Sequence, residues 1–162
     1  MALRRADHDL AAAAMAALAD IRDGEDKGNV PDQVLTRIAG LPTMLRTSGV
    51  LPTLAFYAAK GSGSDGGALT RAYEKVGVAL RAQVCAALNM DSGPDRPAVD
   101  VAFLTELTRR FREEPHTLSR VSVRLEQFSM WMRRLAEALA HEQERAKQVE
   151  KAQNPAAEAP RA

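Results

Sequence analysis

Three arginines and the single tryptophan, all in the last third of the chain, are the residues best spaced to do chemistry. Wound at about 100° per residue, Arg120, Arg124 and Arg134 fall within about 80° of one another, and Trp131 lies inside that sector. Guanidinium planes beside an aromatic ring suit a groove for single-stranded nucleic acid, with phosphates on the cations and a base against the ring. The same spacing also suits a bundle in which the Trp seals the core edge. The arginines are then solvated or paired with acids such as Glu126 and Glu137. Spacing alone favours this second reading and excludes neither. Lys60, Arg71 and Lys75 form a further basic set. Val123 and Met130, seven apart and nearly opposite the main apolar stripe, mark a second apolar face that either packs against the tail of the chain or meets another protein.

The search for a catalytic constellation is unproductive. No phosphate loop, paired CxxC or HExxH occurs, and the three histidines stand at 8, 116 and 141. Asp7, His8 and Asp9 are consecutive, so on a helix they splay over roughly 200° and cannot converge on one metal. No metal or other cofactor is expected. Cys85 sits in an alanine-rich helical pattern and reads as a small buried residue in a reducing compartment. Arg110 and His116 have a spacing similar to that of small helical ribonucleases of the HEPN type. Pro115 directly precedes the histidine and interrupts the helix on which such a geometry depends.

The bulk numbers narrow the class. A chain of 162 residues is long enough to bury one core without disulfides or metal, and one domain over 1–150 is expected. Its formal net charge of +1, from 22 basic and 21 acidic residues, is not that of a free, strongly basic nucleic-acid binder, so any such surface must be local. The alanine run after Arg4 and Arg5 is interrupted by Asp7, His8 and Asp9 and lacks the leucine core of a signal peptide. No stretch reaches the roughly 18 apolar residues of a membrane span. A soluble, cytoplasmic protein is expected.

The elements that must position these residues read as helices throughout, with no strand pattern and no internal repeat. Leu3, Leu10, Ala14, Ala17 and Ile21 share one side of a first helix over 3–23. Pro31 opens a second helical run, which leads into the stretch LPTMLRTSGVLPTLAFYAAK at 41–60. There Leu41, Met44, Leu45 and then Val50, Leu51, Leu54, Ala55 and Ala58 recur at helical spacing on either side of Gly49. Two helices joined by a bend are expected, kinked or restarted at Pro42, with Thr47 or Ser48 capping the second and Pro52 in its first turn. The run from Gly61 to Gly67 reads as a surface loop too flexible to pack. A helix over 68–88 follows, then a loop over 89–97 and a shorter helix around Phe103, Leu104, Leu107 and Phe111. The last helix begins near Thr117, with Val121, Leu125, Phe128, Met132, Leu135 and Leu139 facing the core. Residues 151–162 read as a disordered tail. The expected fold is an all-α compact bundle of about five to six helices with the bent hairpin at its centre.

Two of these segments, with AYEKVGVALRAQV at 72–84 between them, carry a likeness to a known family. The hairpin shows Leu41, Pro42, Gly49, Leu51, Thr53, Leu54, Ala55, Phe56 and Lys60; Tyr73 opens the middle helix; Trp131, Arg134, Ala136, Glu137 and Ala138 lie in LEQFSMWMRRLAEALA at 125–140. In this order over 41–140 they resemble the small α-helical subunit of the type III-B (Cmr) CRISPR RNA-guided effector complex. PHTLSRVSVRLE, before the last motif, lacks the tyrosine expected there. The resemblance implies a non-catalytic subunit present in several copies, in contact with other Cmr subunits and with further copies of itself. Guide RNA and target RNA would be its nucleic-acid partners, held without reading sequence in antiviral defence. Under it, the arginine stripe is better read as a nucleic-acid surface. The alternatives are the helical ribonuclease and a helix-turn-helix regulator reading DNA through residues 48–60. The regulator is disfavoured because that segment is almost wholly apolar.

Overall fold

The computed structural model describes residues 2–23, 28–64, 66–93, 95 and 97–153, and for residues 2–6 the backbone alone. They form seven helices: α1 (Ala2–Asp23), α2 (Asp32–Ala39), α3 (Leu41–Ser48), α4 (Val50–Gly61), α5 (Ala68–Leu88), α6 (Val101–Glu113) and α7 (Pro115–Gln153). No strand occurs among the described residues, so the all-α bundle holds. The helix count exceeds expectation by one because the chain is punctuated at Gly40. Pro42 has no N–H to continue the ladder from α2, and the run restarts as α3 with Pro42 in its first turn.

Two long helices organise the rest. α7 packs against all six other helices, most lightly against α4, while α5 packs chiefly against α1, α4 and α7. The bent hairpin straddles them, with α3 lying on α7 and α4 lying on α5 and α6. Leu41 and Leu45 of α3, Leu54 and Tyr57 of α4, Val76, Leu80 and Val84 of α5, and Val121, Leu125, Phe128 and Met132 of α7 fill one continuous core. Leu10, Ala14, Ala17, Leu18 and Ile21 bury the inner face of α1; the side chain of Leu3 is outside the described residues.

Several local expectations are corrected. The turn between α3 and α4 is made by Gly49 itself, at φ 86° and ψ 179°, a conformation that favours glycine. Neither Thr47 nor Ser48 caps α4, which has no side-chain cap; the Thr47 hydroxyl instead donates to the Thr43 carbonyl at 2.9 Å. Within α4 the buried stripe is Val50, Thr53, Leu54 and Tyr57, and Ala55 is exposed. That helix is apolar nearly all round, so periodicity cannot choose its inner face. Gly61 packs closely: a Cβ there would meet the Glu74 backbone at 2.8–2.9 Å, so the absent side chain is what lets α4 and α5 approach. Pro115 starts α7 two residues earlier than expected, and the helix runs to Gln153. Residues 151–153 of the expected disordered tail are thus helical, and its remainder, 154–162, lies outside the described residues.

Candidate nucleic-acid interface

The arginine stripe lies where α7 meets α1 and α5. Arg120 is exposed at one end. Along with Val123, Arg124, Gln127 and Ser119 it lines a groove floored by Leu10, Ala86 and Ala87. Arg124 is half-buried, and its Nε donates to the Oε1 of Gln83 on α5 at 3.0 Å. That bond fixes the guanidinium at the helix seam, and among the described residues no carboxylate pairs with its charge.

Further along, Trp131 is half-buried against the core, and its indole N–H donates to the Asp7 carboxylate at 2.8 Å, tying α7 to α1. The Arg134 guanidinium lies 5.5 Å from the centroid of that ring, in cation–π range. Of the two acids suggested as arginine partners, Glu137 is taken by Arg133 at 2.8 Å, which frees Arg134 for the ring. The result is a partly exposed line of three positive groups, with the Asp7 carboxylate beside its aromatic member.

The other basic residues, Lys60, Arg71 and Lys75, make different contacts. The Lys75 ammonium reaches the Asp20 carbonyl at the end of α1, and Arg71 donates to the Gly66 carbonyl at 2.6 Å. Lys60 lines a groove shared with Arg37, a residue that sequence reasoning passed over. Arg37 carries no local signal, because only the fold brings α2 beside α4. Val123 is 56% exposed, whereas Met130 is half-buried.

No catalytic geometry assembles from the candidates. Arg110 is paired with Glu106 on its own helix at 2.8 Å, and His116 lies across the α6–α7 break at 3.7 Å from Glu114. Among the described residues, no group of His, Cys, Asp and Glu side chains could hold a metal ion. Burial pushes the Cys85 thiol up, away from the thiolate a nucleophile needs. Burial likewise raises the Tyr57 phenol well beyond its usual range. The exposed positions of α4 are Pro52, Ala55, Ala59 and Lys60, which offer one polar side chain where a DNA-reading helix needs several. No helix among the described residues is long and apolar enough to cross a membrane.

Comparison with known proteins gives one result. The sequence model of a family described as CRISPR-associated protein (Cas_Cmr5) matches residues 10–139, which contain the core-facing residues of α1, the hairpin, α5, α6 and the arginine stripe of α7. No curated protein and no solved structure matches the chain.

Proposed function

Since the chain belongs to the Cas_Cmr5 family, the small subunits of type III-B CRISPR effector complexes, we propose that it holds target RNA, or the guide–target duplex, by its phosphates within that complex. In this reading it works in the cytoplasm in antiviral defence, performs no chemistry of its own, and lines up in several copies, with Val123 and Met130 on the face turned to a protein neighbour. The observation that carries the reading is the α7 edge. Arg120, Arg124 and Arg134 lie along one side of a rigid helix, and none of the three is neutralised by a carboxylate among the described residues.

Contacts of this kind position a strand and carry no sequence information, as suits a system in which base pairing reads sequence. One copy offers few phosphate contacts, so affinity accumulates as copies align on one strand. The test is a salt titration of target-RNA retention by complexes carrying either the wild-type subunit or Arg120→Ala with Arg134→Ala, at matched incorporation. Arg124 is left intact so that its bond to Gln83 is preserved. The expected result is weaker retention and a flatter dependence on log salt, by about 0.7 per lost single-strand contact. Identical slopes and affinities refute the assignment. In the same complexes His116→Ala leaves RNA cleavage unchanged, and a large loss there would point to catalysis in this chain.

A further inference from the structure

A second groove, of about 920 Å³, runs between α2, the end of α4 and the start of α5, remote in sequence from the arginine stripe. Arg37 enters it from α2 and Lys60 from α4, and both are exposed. Among the described residues neither has a carboxylate partner. The Arg37 guanidinium is held 5.7 Å from the centroid of the Phe56 ring, which orients it without cancelling its charge. Asp32, the one acid that lines this groove among the described residues, is already paired with Lys147 at 3.3 Å. The rim also carries the hydroxyl of Ser64 and the backbone of Gly63, and Leu69, 37% exposed, provides an apolar shoulder.

We propose that this groove is a second phosphate-binding site, one that takes phosphodiester groups of a single nucleic-acid strand. Two cations converge from different helices on a space of ligand size. A free nucleotide would find little to recognise its base, because the Tyr73 ring is buried among Phe56 and Tyr57 and presents no open face. A sugar–phosphate backbone needs only the cations and the rim. That the strand is RNA rests on the reading above; the phosphate chemistry does not.

The experiment is an amide NMR titration of the full chain with oligouridylate and, separately, with pyrophosphate. Oligouridylate is expected to shift the amides of Thr36, Arg37, Lys60, Gly63 and Ser64. Arg37→Gln with Lys60→Gln should abolish those shifts, leave amides elsewhere in place, and flatten the log K against log salt slope by about 1.4, from two contacts at about 0.7 each. If none of these amides moves with either probe, the site is refuted. Movement with pyrophosphate alone refutes the strand. Should only the amides around Arg120 to Arg134 respond to oligouridylate, the groove falls and the α7 reading stands. Response in the groove alone supports the site and removes the α7 face instead.

Discussion

Gln143 and Val30, 113 residues apart, are joined by two buried hydrogen bonds. The side-chain carbonyl of Gln143 accepts from the Val30 N–H at 2.8 Å, and its amide donates to the Val30 carbonyl at 3.0 Å. One side chain of α7 thus satisfies both backbone groups of the residue that leads into α2. Gln143→Leu keeps the bulk and strands both groups, each at about 1–3 kcal/mol. Urea unfolding is expected to show a loss of about 2–4 kcal/mol. A midpoint within experimental error of the wild type would mean that the clamp contributes nothing.

Gly61→Ala tests the close approach of α4 and α5. The new methyl would meet backbone atoms of Glu74, which cannot swing aside as the end of a flexible side chain would. The helices must separate, at a cost of about 1–3 kcal/mol. The opposite sign, stabilisation through better helix propensity, would show that the contact is looser than described.

Glu106 supplies a pH-dependent term. Hydrogen bonds from Arg109 and Arg110 hold its carboxyl at about 2, below the ordinary value of 4.5. Because the folded value is the lower one, its contribution is fully present above about pH 4.5 and is lost as pH falls towards about 2. Urea midpoints at pH 5 and pH 3 should therefore differ less in Glu106→Gln than in the wild type. Equal differences in the two proteins would rule the group out as a contributor.

Trp131 separates packing from hydrogen bonding. Trp131→Ala is expected to cost about 2–3 kcal/mol, less than the roughly 3–5 of a fully buried aromatic. Trp131→Phe keeps a ring but drops the bond to Asp7, and should cost only about 0.5–1.5 kcal/mol by that loss. Thermal melts of both variants decide the matter, and equal melts for Ala and wild type would make the Trp a surface residue.

Much of the architecture was legible because apolar stripes repeat at helical spacing and glycine or proline marks most of the breaks. The inner face of α4 was not legible, since Ala55 and Tyr57 are both apolar and only the neighbouring α5 decides between them. At the candidate interface, the sequence placed Arg120, Arg124, Trp131 and Arg134 on one sector but was silent about Gln83 and Asp7, the groups that touch two of them. Those contacts cross 41 and 124 residues of chain, a range that periodicity does not reach. Arg37 was missed for the same reason.

The position of α7 in the chain has a consequence for how the molecule is made. It follows the other six helices of the described residues, yet it supplies Val121, Leu125, Phe128 and Met132 to the core and packs on all six of them. As the chain leaves the ribosome, α5 can already pack on α1 and α4, but the faces that the earlier helices turn to α7 have nothing to close on. Synthesis at about 5–20 residues per second leaves that surface open for seconds while α7 is being translated. The bundle is completed only when α7 docks on the helices before it, and until then those apolar faces are exposed to association with other chains or with chaperones.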